Sequence, residues 1–237
     1  MRTLVLSSLL GVAVIGFAEP SRPPLPEDEM VSRYIGATQT QQDTLRGGTQ
    51  EIDIDAAVPE LRKQGKLHAL KSITKLGKIT FRVLGFSGDN TVKTEVIARY
   101  LKAEVDAAEE GPNRSITPEN YKFKYRRADE LNGRQVYVLH VTPRHNKVGL
   151  FKGEVWLDAE TYMPVRESGS FVKSPSLFLK KVQFVRDYEI QNGVSIPQRL
   201  ASKADVRFIG PVELNIHYVS FSKDDQDVEA ASAADQQ

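Results

Sequence analysis

Residues 121–126 read Tyr-Lys-Phe-Lys-Tyr-Arg, an unbroken alternation of aromatic and basic side chains. Because successive side chains of a strand point to opposite faces of a sheet, this pattern predicts a β-strand with one apolar and one solvated face. The tight-turn dipeptide Asn132-Gly133 follows, and the apolar segment 135–142 then runs up to Pro143. The stretch therefore predicts an antiparallel β-hairpin.

The same two-residue period continues on both sides of this hairpin. It predicts further strands over 51–58, 153–158, 164–167, 177–190, 194–200, 204–209 and 212–221. Strands joined by short turns such as Asn192-Gly193 and Gly210-Pro211 pair antiparallel. No repeat of roughly 20–50 residues and no internal linker divides them, so we expect a single domain over 27–222.

Two segments have a helical period instead. Residues 27–45 follow Pro26, begin with acidic residues and end at Gly47-Gly48, which predicts an amphipathic helix. Residues 91–108 carry an apolar stripe that favours a helix, although their valine, isoleucine and tyrosine also suit a strand. We therefore expect a mainly β (α+β) fold, a curved antiparallel sheet with one or two helices covering its concave side.

The two ends of the chain predict export and a solvated tail. Residues 1–18 place Arg2 before an apolar run that closes on Gly16-Phe17-Ala18, the pattern of a signal peptide cleaved after Ala18. A proline-rich linker over 19–26 and a disordered acidic tail over 223–237 are expected to flank the domain. The sequence has no cysteine, so neither a disulfide nor an N-terminal lipid anchor is expected. The prediction is a soluble periplasmic protein.

Charge and motifs argue against several functions. The 32 Lys and Arg become 31 without Arg2, which balances the 31 Asp and Glu, so no nucleic-acid partner is expected. The 4 histidines are scattered, which predicts no metal site. The sequence has no Gly-x-Ser-x-Gly elbow and no phosphate-binding loop. We therefore predict no catalytic residues, no cofactor and no enzymatic activity.

The segment 62–82 is strongly basic and contains no acid. Apolar residues alternate with its cations, so it could present an apolar and a cationic face together. One hypothesis is a surface that contacts a membrane or a partner protein, and the other, which we favour, is a solvated pair of strands. The candidate surface residues are Lys66, Lys71, Lys75, Lys78 and Arg82.

Several blocks of this pattern carry a family resemblance. They read NYKFKY (120–125), GRQVYVLHVTP (133–143), GLFKGEVWLDAETYMPVR (149–166), FVRDY (184–188) and GVSIP (193–197). Together with the first helix they cover most of 27–222, and they resemble the outer-membrane lipoprotein-sorting superfamily of Gram-negative periplasmic proteins. The shared positions are strand and turn residues, so they identify a fold better than an activity.

The resemblance implies an unclosed β-barrel, or half-barrel, with an apolar cavity that shelters acyl chains. The membrane-anchored receptor branch of this family carries a cysteine where this sequence has Glu19, so that branch is not expected. Alternation alone selects the candidate cavity residues, which could equally pack the core beneath the helix. They are Trp156, Phe184, Tyr188, Leu214, Ile216 and Tyr218.

The leading functional hypothesis is a periplasmic protein that binds lipid acyl chains or a lipidated protein, as a possible carrier in lipoprotein or lipid sorting. The alternative is a protein-interaction or envelope-sensor module on the same fold. A small-molecule enzyme is the least favoured hypothesis.

Overall fold

The computed structural model describes residues 25–174 and 179–223. Ten strands fill most of these residues. They are β1 (Gly48–Val58), β2 (Lys63–Ile73), β3 (Ile79–Gly88), β4 (Tyr121–Leu131), β5 (Arg134–Pro143), β6 (Phe151–Asp158), β7 (Pro164–Phe171), β8 (Leu179–Gln191), β9 (Val194–Val206) and β10 (Gly210–Lys223).

All ten strands belong to one antiparallel sheet in the order β3-β2-β1-β10-β9-β8-β7-β6-β5-β4. Every pair except one joins strands that are consecutive in the chain. The exception is β1 with β10, where Ile54 lies opposite Ile216. Within the described residues β3 and β4 do not pair with each other, so the sheet stays open. The predicted fold class, a curved and unclosed antiparallel sheet with helices, is confirmed.

Helix α1 (Glu27–Leu45) has the predicted bounds. Three acidic residues lie in its first turn, where the helix dipole favours negative charge. Its buried side chains include Met30, Val31 and Tyr34, which face the sheet. The Gln41 amide donates a hydrogen bond of 2.5 Å to the carbonyl of Ser195, which fixes the second half of the helix to β9.

The second helical region runs without a break through α2 (Asn90–Val92), a π-helical turn (Lys93–Ile97) and α3 (Ala98–Glu110). The helical prediction for 91–108 is therefore confirmed, and the strand alternative is wrong. Asp89 caps the start, because its carboxylate accepts hydrogen bonds from the backbone N–H groups of Thr91 and Val92, at 2.7 and 3.3 Å. No residue of α3 itself is buried, whereas Val92 and Ile97 earlier in the same helical region are buried in the core.

One hydrophobic cluster joins side chains from α1, the second helical region, β1, β2, β4 to β6 and β8 to β10, and Phe171 of β7 packs against it. An aromatic group lies at its centre, where the Phe151 and Phe184 rings meet edge-on at 4.9 Å. Phe171 stacks on Phe184 at 5.4 Å, and Tyr121 lies 5.9 Å from Phe151. Edge-on and offset contacts of this kind add to the stabilisation that burial itself provides.

Some predicted boundaries differ from the structure. Residues 194–200 and 204–206 of the two predicted strands form the single strand β9, because residues 201–203 contain no glycine or proline and stay paired with β10, whereas 207–209 form a turn. Lys223, assigned to the tail, is the last residue of β10. The predicted signal peptide, the linker up to residue 24 and the rest of the tail lie outside the described residues.

Candidate functional site

The six predicted cavity residues lie in three different environments. Phe184, Leu214 and Ile216 are buried in the hydrophobic cluster on the concave side of the sheet. Tyr218 packs against the edge of that cluster, and Tyr188 contacts buried charges on the same side. Five of the six therefore face the interior, where they contribute to packing.

Trp156 is the exception, and its predicted cavity position is wrong. Its neighbours Val155 and Leu157 belong to the concave cluster, so alternation turns Trp156 to the convex face. There the indole ring lies between two guanidinium groups, 5.2 Å from that of Arg127 and 5.7 Å from that of Arg166. Cation–π contacts account for its environment, and it cannot line an interior cavity.

An ionic cluster lies beneath α3 on the concave side of the sheet. It consists of Lys71 on β2, Glu104 on α3, Glu167 on β7 and Arg186 on β8. The Lys71 ammonium is 3.1 Å from the carboxylate of Glu104. Glu104 thus connects the helix to strands from both halves of the sheet.

Arg186 is poorly paired compared with Lys71. Its guanidinium lies 3.8 Å from Glu104 and 3.7 Å from Glu167, beyond the usual length of a hydrogen bond. Its Nε is buried and has no hydrogen-bond partner among the described residues. The Arg186 side chain nevertheless keeps 30% of its surface accessible, against 10% for Lys71. Its guanidinium therefore hydrogen-bonds with Tyr188 but lacks a close carboxylate partner.

The pKa values of the cluster follow from burial and from these contacts. Burial alone would raise the pKa of Glu104, but Lys71 and Arg186 outweigh it and hold that pKa below its ordinary value. Burial raises the pKa of Glu167, because Arg186 offsets only part of the lost hydration. Burial also raises the pKa of Tyr188 well above its ordinary value, so its phenol stays neutral.

An open cleft of about 720 Å³ separates α1 from β4. Its apolar lining comes from Val31 and Ile35 on the helix and from Pro118, Tyr121 and Phe123 on or near the strand. Polar groups line it as well, namely Glu27, Asp28, Ser32, Lys122 and Arg144. The cleft thus has an amphipathic lining.

The wall of this α1–β4 cleft includes the free edge of β4. In antiparallel pairing the backbone groups of alternate residues point away from the neighbouring strand. The N–H of Tyr125 points outward and donates a 2.7 Å hydrogen bond to Glu27, and the carbonyl of Tyr121 accepts a 3.2 Å bond from Arg144. Phe123 lies between them with the same orientation, so its backbone N–H and C=O face the cleft.

The five predicted surface cations do not lie together. Lys66, Lys75, Lys78 and Arg82 are exposed on the β2–β3 hairpin, and Lys66 pairs with Asp55 at 2.6 Å. Lys71 is 8% exposed and belongs to the ionic cluster, so its prediction as a surface residue is wrong. Lys71 has the same strand phase as Leu67 and Ala69, which are both buried, so its side chain also points inward.

Sequence reasoning missed Glu104, Glu167 and Arg186. Arg186 has the same strand phase as Phe184 and Tyr188, so alternation could have placed it inside. Glu167 lies directly opposite Arg186 in the β7–β8 pairing, whereas Glu104 gave no comparable signal, because only the packing of α3 on the sheet brings it to Arg186.

The described residues contain no helix long and apolar enough to cross a membrane. Across the same residues, no three side chains of the metal-binding types come together as a possible metal site.

No protein-family model matches the sequence, and no curated protein is significantly similar to it. Solved structures do show some similarity. A DUF1329 family protein from Desulfovibrio piger is 14% identical over 84% of this chain and 93% of that chain, with a TM-score of 0.47. A LolA superfamily protein from Nitrosomonas europaea is 11% identical over 87% of this chain and 97% of that chain, with a TM-score of 0.43.

A putative outer membrane lipoprotein-sorting protein domain from Vibrio parahaemolyticus is 13% identical, with a TM-score of 0.43. Its alignment covers 84% of this chain and 94% of that chain. At these identities and scores, ligand and activity have to be inferred from the side chains of the chain itself.

Proposed function

We propose that this protein is a binding protein without catalytic activity, which holds a lipid acyl chain or the acyl group of a lipidated protein. The supporting observation is the α1–β4 cleft, whose volume of about 720 Å³ is within the range of small-molecule sites. Its apolar side chains would remove an acyl chain from water, and that burial would drive binding.

The polar groups of the cleft suit an amphiphile better than a plain hydrocarbon. Lys122 and Arg144 lie beside the apolar floor that Ile35 and Phe123 provide. An acyl chain on this floor would lie beside polar side chains. With the predicted signal peptide, this geometry supports a periplasmic carrier of lipids or lipoproteins.

A carboxylate placed on the floor of the cleft tests this function. The Ile35→Glu variant should weaken binding of a fluorescent dansyl fatty acid by about tenfold or more, because an acyl chain would strip water from the new charge. Gln39→Glu is the matched control, since Gln39 is exposed on the same helix and does not line the cleft. Fluorescence titration gives both affinities. Equal affinities of the two variants, or no binding by the unmodified protein, would contradict the proposal.

A polypeptide ligand is the second candidate, because Phe123 turns its backbone N–H and C=O into the same cleft. An extended peptide could add a strand at this edge of β4, as in other proteins with exposed sheet edges. The two ligands differ in amide hydrogen exchange. A bound peptide strand would slow exchange at Phe123, whereas an acyl chain that contacts only side chains would leave it nearly unchanged.

A further inference from the structure

The ionic cluster contains a cation whose hydrogen-bonding capacity is only partly used, because Arg186 hydrogen-bonds with Tyr188 but makes no close ion pair. A guanidinium removed from water is stable only when carboxylates or other acceptors replace the lost hydration. Both carboxylates near Arg186 are 3.7 Å or more away, and its Nε has no partner among the described residues. The arginine fork is shaped to bind a carboxylate through two parallel hydrogen bonds, and neither neighbour does so.

Glu104 occupies the position that an incoming carboxylate would take. One of its oxygens contacts Lys71 and the other faces Arg186, so it bridges cations from two separate strands. Unlike its partners, Glu104 belongs to a helix and not to the sheet. Lys71 and Arg186 would therefore remain in place if α3 moved away.

Apolar side chains lie next to Arg186 on the same face of the sheet. Phe184 precedes it by two residues on β8, and Leu200 lies directly opposite it on β9. Both are buried, and Phe184 stacks on Phe171. A ligand whose carboxylate reached Arg186 would thus place its adjoining carbons against an apolar wall.

The attachment of α3 permits such an exchange. Tyr100 and Leu101 are only partly buried where they pack on the core, and α3 has no fully buried residue. The helix also follows a π-helical turn, in which the regular hydrogen-bond ladder is interrupted. Ile97 just before α3 is buried, so a displacement that begins after Ile97 would expose less core surface than displacing α1, which buries Met30 and Tyr34.

We propose that Lys71 and Arg186 form a head-group site for the carboxylate of a long-chain fatty acid, and that Glu104 competes with the ligand for this site. The inference rests on the proposed binding of acyl chains and adds the chemistry of the head group. It commits to a carboxylate because the side chain that now bridges the two cations carries one.

A matched pair of ligands tests the head-group site. Oleate and oleyl alcohol share one apolar chain and differ in charge, so their affinities, measured by displacement of the dansyl fatty acid, isolate the head group. We expect the unmodified protein to bind oleate at least about tenfold more tightly than the alcohol, a difference of about 1.4 kcal/mol. Arg186→Gln and Lys71→Met should each remove most of that preference.

Glu104→Gln gives the decisive result, because its expected effect on oleate affinity is opposite in sign to the effects of Arg186→Gln and Lys71→Met. Removing the competing charge should strengthen oleate binding several-fold and leave the alcohol unchanged, even though it removes an ion pair. Lys102→Met is the control, since Lys102 is exposed on the same helix and pairs with Asp106. If Arg186→Gln fails to fold, Glu104→Gln still decides the question.

Three results would overturn the head-group site. The first is equal affinity for oleate and oleyl alcohol, and the second is weaker oleate binding by Glu104→Gln. The third is displacement of the dansyl fatty acid by acetate at the same concentrations at which oleate displaces it. In each of these cases the proposed function would still stand if the unmodified protein binds both long-chain ligands and Ile35→Glu loses that binding. If neither long-chain ligand binds, both proposals fail.

Discussion

The carboxylate of Glu104 contributes to stability through charges that only the folded chain brings together. It faces Lys71 and Arg186, and Tyr100 one helical turn away also interacts with it. Glu167 lies across Arg186 from it and adds a second carboxylate to the same region. Removing one partner of such a buried group leaves the remaining charges uncompensated.

We predict that Glu104→Gln lowers the free energy of unfolding by roughly 2–3 kcal/mol at neutral pH. Folding lowers the pKa of Glu104 below its ordinary value of 4.5. The stabilisation is therefore complete above that pH and is lost as the pH falls through the folded-state pKa. Urea denaturation of both proteins between pH 7 and pH 3 should show the difference shrinking in acid.

Glu95→Gln serves as the control for this titration. Glu95 is exposed and pairs with Arg99 on the same helical region, so its replacement should cost less than about 0.5 kcal/mol. If the loss in free energy of unfolding caused by Glu104→Gln does not depend on pH, the charge of Glu104 is not what stabilises the fold.

Among the elements, α1 both covers the core and protects an edge of the sheet. Its first residue, Glu27, accepts a hydrogen bond from the outward N–H of Tyr125 on β4. Exposed strand edges are sites of unwanted pairing, and a charged side chain at such an edge discourages it. The start of α1 therefore closes one end of the cleft and leaves Phe123 as the open position.

Glu27→Ala should lower protection of the Tyr125 amide in hydrogen exchange and destabilise the protein by about 1 kcal/mol. Asp28→Ala is a close control, because it removes a neighbouring acid from the same helical turn, where both residues interact with the dipole. Exchange at Tyr125 should respond to the first substitution alone. An equal response to both would indicate a general effect of charge at the helix start.

The elements were predictable wherever local patterns and final packing agree. Helix α1 matches its prediction because Pro26, the acids of its first turn and Gly47 each mark a boundary locally. The break predicted inside β9 does not exist, because pairing with both neighbours carries the strand through residues with little pattern of their own. The π-helical turn before α3 had no sequence signal.

For the whole molecule, one core spans both halves of the sheet. Ile54 on β1 and Leu139 on β5 belong to the same hydrophobic cluster, although they lie on opposite sides of β10 and β9 in the strand order. A single cluster of this kind predicts one cooperative unfolding transition, in agreement with the single domain expected from the sequence.

Ile54→Ala and Leu139→Ala should each shift that one transition by roughly 2–5 kcal/mol, since both side chains are at most 1% exposed. Differential scanning calorimetry would detect the alternative. If either variant split the transition into two, the halves of the sheet would be separate folding units, and the single-domain prediction would be wrong.

At the same scale, the candidate site shows where sequence reasoning stopped. Alternation correctly turned Phe184 and Ile216 inward, because the strand period is a local property. It could not show that Lys71 and Arg186, which are four strand pairings apart, both face Glu104, since that arrangement depends on the order of strands and on α3. Trp156 was predicted to face the interior because its side chain is apolar, although its strand phase places it on the convex face.

The position of Trp156 also makes the protein convenient to observe. It is the only tryptophan in the sequence, and its indole lies between two guanidinium groups on the side of the sheet away from both proposed binding sites. Its intrinsic emission should therefore change when the strands come apart and remain almost silent when a ligand without a chromophore, such as oleate, enters. A fluorescence signal that follows denaturation but ignores the ligand can measure stability during binding experiments without an added label.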